Sequence, residues 1–581
     1  MKFTALLLIV AVVAISALGQ TKKPAAKPQQ KPASAKPATK KPSTPIAKKL
    51  TQPKPVSTPK PVDENAEFEA ALSAEPLERV NALKKFIVGF PNSERTPKAK
   101  ELLVVARASV ADDKLRSGET ETAVSLFILA VDGAPEPIPD KLFADVISKF
   151  PYNLYFGGQK PEALAIASKI ESRVSTNAAQ LVTLAKFHAS IENGGEAIRV
   201  AEIAVNLDPN SSPAYQAIGL GHRLNFELEK SAAAYSKALE LDPESLNSKQ
   251  SLAEMNRALG KADEAAKLYR EMLAVAEGDV PAQTGLVLSL FDGDKKTEAE
   301  AEMAKALEAN PNNVTLIAGA AYWYSANGDP DKAIELGEKA IALEPRYVWS
   351  HIAYARGLAG KQKPVDAERV LIKARSYGNF PTVEFELASA RLAAGFYREA
   401  VEDLQRSFAL KDGNIVVKLG GRTERTGAGF EELLAAERRA SIFAPSSGGN
   451  ATSDQKLKQL LELHKEISAS DPDIASIATT VDEFTSGTDS MKVHRQLYAA
   501  SLLLQKNVAL DKVVDVARSA TGNTDSGLDS PNAGSAVMAS ELYESRSLAF
   551  SRNEFLLVPE VPRQTLSVIL RGRVEDIAGW A

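Results

Sequence analysis

The chain has 581 residues, of which 44% are hydrophobic, 25% charged and only 6% aromatic, with no cysteine. That balance is normal for a soluble protein, and it excludes disulfides, thiolate zinc sites, cysteine nucleophiles and a lipid-modified cysteine anchor. The net charge of −4 hides an asymmetry: residues 1–62 hold 12 lysines and no acid, which leaves 58 basic against 74 acidic residues from Asp63 onward, a net of −16. An acidic folded part argues against nucleic-acid binding.

Met1-Lys2 is followed by an apolar run from Phe3 to Leu18, broken only by Thr4 and Ser16. The run is short for a spanning helix, and small residues stand at its end, Ala17 and Gly19, so residues 1–19 predict a cleaved signal peptide. The expected location is therefore periplasmic or extracellular; the alternative is an inner-membrane anchor formed by an uncleaved segment. Residues 20–62 are a Lys/Pro/Ala/Thr tract. Proline removes backbone donors and like charges repel, so the tract predicts a disordered spacer. Through residues 21–62 the chain could contact an anionic envelope surface.

From Lys141 to Asn414 the sequence repeats every 34 residues. Pro209 and Pro243 are 34 apart, as are Pro311 and Pro345. Small residues keep the same step at Ala163, Ala197, Ser231, Ala265, Ala299, Ala333 and Ala367, with Ala400 one residue early. A second series runs Ala204, Ala238, Met272, Ala306, Ala340 and Ala374. Each unit predicts two amphipathic helices that cross closely at the small residues. Glycine marks the turn between them at Gly194-Gly195, Gly260, Gly328 and Gly395, and proline closes the unit. No unit can bury its apolar face alone, so the units must stack.

Tyr215-x2-Ile218-Gly219-x2-His222, then Ser231-x3-Tyr235, Ala238 and Pro243, resembles the tetratricopeptide-repeat family pattern. A second unit carries Leu252, Gly260, Ala265, Tyr269 and Met272, with Ala185 and Ala253 standing where the pattern has glycine. Looser units are expected near 104–137 and 144–177, and the solenoid as a whole spans 63–443, most clearly 178–380. The resemblance implies an all-α, right-handed solenoid that binds a protein or peptide in a concave groove lined by the first helix of each unit. By motif register the partner-binding residues are Lys186, Gln216, Arg223, Gln250, Arg257, Tyr322, Trp349 and Arg356. The lysine/asparagine carboxylate clamp of chaperone-binding members is not evident, because Gln216 and Leu220 occupy those positions.

Gly427–Phe443 predicts a capping helix, and 444–454 a linker rich in Pro, Gly and Ser. Residues 455–581 predict helices near 455–469, 473–484, 492–519 and 535–552, resembling no family. Thr521–Gly534 predicts a mobile loop, and the tail after Phe555 a short strand or docked segment. His188 and His222 hold a packing position of the repeat. Acidic pairs such as Asp112-Asp113 are expected on solvated faces. No zinc motif, phosphate loop or nucleophile elbow occurs, and the glycines at 419–422 and 427–429 follow no clear strand. The sequence therefore predicts no metal, no cofactor and no enzyme. The leading expectation is an interaction scaffold; the alternatives are an envelope-polymer or secretion-complex component held by the lysine tract, or an enzyme whose activity resides in 445–581.

Overall fold

The computed structural model describes residues 63–378, 380–417, 424–441 and 451–580. The predicted signal peptide, spacer and first part of the linker lie outside the described residues. The rest forms two compact units, one reaching Ile170 and the other beginning at Glu171.

The first unit opens with α1 (Glu64–Ser73), α2 (Pro76–Gly89), α3 (Thr96–Arg116) and α4 (Thr120–Asp132). Asp63 starts α1 by accepting the backbone N–H groups of Asn65 and Ala66. The helices close on Phe68, Leu83, Phe86 and Leu103. The first helix expected within 144–177 is broken into α5 (Asp140–Asp145), a 3₁₀ turn and α6 (Phe150–Phe156), before α7 (Lys160–Val174). Pro151 accounts for part of the break, since it fits only the first turn of a helix and opens α6. Asp112, expected on a solvated face, is partly buried and accepts a hydrogen bond from Asn153 at 2.7 Å.

In the second unit, fourteen helices run as seven stacked pairs. They are α8 (Ala178–Ser190), α9 (Gly194–Leu207), α10 (Ser212–Leu224), α11 (Leu228–Leu241), α12 (Leu246–Ala258), α13 (Ala262–Val275) and α14 (Val280–Asp292). They continue as α15 (Lys296–Ala309), α16 (Val314–Ala326), α17 (Pro330–Leu343), α18 (Val348–Gly360), α19 (Pro364–Arg375), α20 (Pro381–Ala394) and α21 (Tyr397–Ser407). Side chains of Asn177, Asn193, Ser245, Asp279, Asn313 and Asp329 cap the helices that follow them. Both small-residue series are buried from Ala197 to Ala400, as close helix crossings require.

The backbone repeats as strictly as the sequence. Each turn between the paired helices places one residue in the left-handed region: Glu192, Phe226, Gly260, Asp294, Gly328, Gln362 and Gly395. The step is 34 residues except the last, which is 33. Only three of the seven are glycine. Gly194 and Gly195, expected at such a turn, instead begin α9; a Cβ on Gly194 would lie 2.7 Å from the Gly221 carbonyl.

After α21 the helical pattern stops. Strands β1 (Phe408–Lys411), β2 (Asn414–Val417) and β3 (Arg425–Gly427) form an antiparallel sheet in that order. The glycine-containing segment 419–422 therefore follows a strand directly, contrary to the sequence expectation, although it lies outside the described residues. Then comes α22 (Phe430–Ala440), shorter than the helix expected from Gly427 to Phe443.

The C-terminal part consists of α23 (Ala451–Ile467), α24 (Ile474–Thr485), α25 (Lys492–Lys506), α26 (Leu510–Thr521), α27 (Thr524–Gly527), α28 (Ala533–Ser551) and α29 (Arg563–Trp580). Thus α23 begins inside the predicted linker, and left-handed Asn507 and Ala509 split the long helix expected at 492–519. The expected mobile loop is packed: Thr524, Gly527 and Leu528 are buried, and a Cβ on Gly527 would lie 2.2 Å from Val493. The tail is a helix, with Leu566, Leu570, Val574 and Ile577 buried along one stripe.

One apolar core joins the last repeat to this part. Phe385, Tyr397, Phe408, Ile415, Phe430, Leu457, Phe484, Leu497 and Leu570 all belong to it. Ionic contacts add to the join. Arg546 of α28 pairs with Glu368 and, at 2.9 Å, with Glu399. Arg391 pairs with Glu368 and Asp403, each at 2.7 Å. All five side chains are at most 5% exposed.

Candidate functional site

The first helices of the pairs, α8 through α20 by even number, lie side by side, and their facing side chains form the ladder that the register anticipates. Lys186 on α8 is exposed. From α10 onward most of the long side chains reach the next first helix, while Gln250 bonds within its own. Gln216 donates to Ser248 at 2.9 Å, and Arg223 pairs with Glu254, to which Gln250 also donates. Arg257 on α12 pairs with Asp292 on α14, both almost wholly buried. Asn313, the cap of α16, donates to Thr284 of α14 at 2.8 Å. Rings take over next: Tyr322 and Trp349 meet edge-on at 6.0 Å, and Arg356 sits 4.8 Å from the Tyr322 ring centre while pairing with Glu386 of α20. The structure thus brings seven of the eight predicted residues into one continuous strip and leaves Lys186 at its edge. Their chemistry is largely spent on bonds between successive units.

Burial sets the electrostatics of the strip. It pushes the Asp292 carboxyl up to about 6, against the pull of Arg257. Burial is the largest influence on Arg356 and opposes its charge, but Glu386, Tyr322 and Glu431 together outweigh it and hold the guanidinium above its ordinary value. Tyr322, with no exposed surface, is raised by burial. His188 is buried against Phe187 and its pKa is lowered by burial, while His222 contacts Glu227 at 2.7 Å. Both serve packing.

The strip is covered by a segment that the sequence reading placed at the solenoid's end. Helix α22 packs against α12 and α20. Arg425, just ahead of it, stacks 4.1 Å over the ring of Phe226 in the turn after α10, and bonds to the Leu433 carbonyl and Glu437. The charges of Arg438 and Glu431 act on Tyr322 of α16, and that of Glu431 acts on Arg356 of α18. One short helix therefore touches first helices on both sides of the strip, α12 and α20, and its charges are felt by residues on α16 and α18. Asp454 of α23 caps it, accepting the backbone N–H groups of Phe430 at 2.9 Å and Glu431 at 3.2 Å.

The two sides of α22 differ. Phe430, Leu433 and Leu434 are buried in the shared core, each contributing about 1.5–3 kcal/mol. Toward the strip, Arg438 has no exposed surface and pairs with Glu431 of its own helix. Its Nε and Nη1, and the Tyr322 hydroxyl, are buried without a hydrogen-bond partner. Each such atom costs about 1–3 kcal/mol, so the polar side offsets much of what the apolar side contributes.

The 34-residue backbone step, the buried small residues and the stacked pairs define residues 178–407 as a solenoid of tetratricopeptide repeats. No family model matches the chain. Among curated proteins it is similar to Superkiller protein 3 of Schizosaccharomyces pombe, 23% identical over 218 residues, covering 35% of this chain and 16% of that protein. It is also similar to Superkiller complex protein 3 of Mus musculus, 26% identical over 126 residues, covering 21% of this chain and 8% of that protein. The similarity thus spans less than a fifth of either relative. Among solved structures, YrrB, a TPR protein with an unusual peptide-binding site, is 20% identical, covering 32% of this chain and 95% of that one at a TM-score of 0.27. A tetratricopeptide repeat protein from Parabacteroides merdae is 17% identical, covering 39% and 91% at a TM-score of 0.33. The class rests on the repeat itself.

Among the described residues no helix is long and apolar enough to cross a membrane, and no group of three or more His, Cys, Asp or Glu could hold a metal ion.

Proposed function

We propose that this protein is a non-enzymatic scaffold that holds a helical segment of a protein partner along the first helices of its solenoid. The observation that carries the reading is α22 itself: a helix packed against the first helices of two separate units, α12 and α20, is the kind of ligand that such a strip accommodates. Tyr322 and Trp349 offer rings, and arginines and carboxylates alternate beside them, which suits an amphipathic ligand better than a reacting small molecule. Export, and contact with an anionic envelope surface through residues 21–62, belong to the same proposal. They rest on the apolar run 3–18 and on the acid-free lysine tract.

The test is capture of partners from envelope extract by the whole chain, followed by crosslink mapping. Crosslinks on α10 to α20 would support the strip as the binding face. A partner attached only through α23 to α29 would overturn it and make the solenoid a spacer. N-terminal sequencing of the exported protein tests the location, and retention of Met1 would count against cleavage.

A further inference from the structure

Helix α22 stands outside the 34-residue repeat and yet occupies the face that the repeat builds. Its sequence, Phe430-Glu-Glu-Leu-Leu-Ala-Ala-Glu-Arg-Arg-Ala440, is amphipathic, with an aromatic residue at its start. Glu431, Ala435 and Arg438 fall on one side by helical spacing; both charged members act on Tyr322, and Glu431 also on Arg356. Phe430, Leu433 and Leu434 lie in the shared core, with Leu434 one turn before Arg438 on the adjoining stripe. The polar stripe is the less complete of the two: Arg438 is fully buried yet satisfies its charge within its own helix, and the buried Tyr322 hydroxyl on α16 has no partner. A permanent core helix would be expected to satisfy such groups, because burying them unpaired is costly. From outside, α22 is held by the shared core on its apolar stripe and by two polar contacts. Asp454 holds its first turn, and Arg425 ties its approach to Phe226.

We propose that α22 is a tethered occupant of the concave strip, and that the partner is a protein presenting an amphipathic helix of the same pattern, which replaces α22 rather than binding beside it. The pattern is an aromatic residue, two leucines within the next turn, and an arginine four residues further on. This deepens the scaffold reading and rests on it. Because the occupant belongs to the same chain, it competes at an effective concentration on the order of mM, so a free helix binds weakly until α22 is loosened.

The probe is a labelled synthetic peptide of residues 424–441, titrated by fluorescence anisotropy into the whole chain. The hosts are wild type, Asp454→Ala and Arg425→Ala; the peptide keeps its own Arg425. Amide exchange of residues 430–440 is followed in each host. The expected result is faster exchange and at least about tenfold tighter peptide binding in both variants than in wild type. If Asp454→Ala does not fold, Arg425→Ala alone decides. Equal affinity in all hosts, no binding in any, or unchanged exchange in the variants would overturn the proposal. If the peptide fails but a captured partner still crosslinks to α10–α20, the scaffold reading stands and only the replacement of α22 is lost. If the partner crosslinks elsewhere as well, both fail.

Discussion

The second helices of the middle repeats and those of the last two carry charge in similar amounts but in opposite surroundings. On α9, α13 and α15 the pairs are exposed: Arg199 reaches Glu171 and Glu196, Arg270 reaches Glu298, and Lys305 reaches Glu302. On α19 to α21 the partners have been taken out of water. Glu368, Glu399 and Asp403 are buried with Arg391, and Arg546 arrives from α28, 147 and more residues away in sequence. Arg375, Arg391 and Arg406 also gather within 5 Å of the Phe550 ring. A surface charge on a repeat is thus nearly neutral to stability until another element covers it, and then it determines how firmly that element is held.

The comparison breaks most sharply at Arg546. Arg546→Ala leaves Glu399 buried without its cation, and a loss of about 3 kcal/mol is expected in urea unfolding. A loss below about 1 kcal/mol would mean that α28 is not held by this network. Next is the repeat packing common to both regions. Ala238 has no exposed surface, and Ala238→Leu should cost about 1–3 kcal/mol by overpacking a helix crossing. Acid sharpens the contrast. Burial lowers His464 to about 4, and it is bonded to the Tyr498 hydroxyl. A folded-state value below the ordinary 6.5 gives stability that is full above about pH 6.5 and is lost as pH falls toward 4. Asp292, raised to about 6, works in the opposite direction. His464→Gln should therefore flatten the decline in urea midpoint between pH 6.5 and 4.5 relative to wild type, and an unchanged slope would remove His464 from the account. The smallest effect is expected where solvent remains: Lys305→Ala breaks an exposed pair with Glu302 and should change stability by less than about 0.5 kcal/mol.

The solenoid was legible because proline and small residues are imposed by the period, and both series are buried where the spacing puts them. The turn was less so: Glu192, Phe226, Asp294 and Gln362 adopt the left-handed backbone without the glycine that would announce it. The sheet did leave a signal. Asp412-Gly413, both with positive φ, separates the apolar runs of β1 and β2 in the manner of a hairpin, but the helical context masked it. In α29, the stripe of Leu566, Leu570, Val574 and Ile577 was overlooked in favour of β-branched content. The strip residues share the first-helix face that the register assigns them, but their partners within the chain were missed. Glu254, Asp292 and Glu386 lie 31, 35 and 30 residues after Arg223, Arg257 and Arg356, about one repeat away, so a search for opposite charge at that separation would have shown the arginines occupied. Nothing local in 424–441 says that this helix returns to cover them.

Those arginine clips also bear on mechanics. Ion pairs join α10 to α12, α12 to α14 and α18 to α20, whereas α14 meets α16 through the neutral Asn313–Thr284 bond and the Phe291–Trp323 rings at 4.7 Å. A row of repeats fastened along one side behaves like a leaf spring of uneven stiffness. It resists opening where charge spans the joint and yields first where the fastening is neutral. Under tension the first helices would begin to part between α14 and α18, where rings and a neutral bond make the joints, while the charged joints at α10–α14 and α18–α20 stay shut.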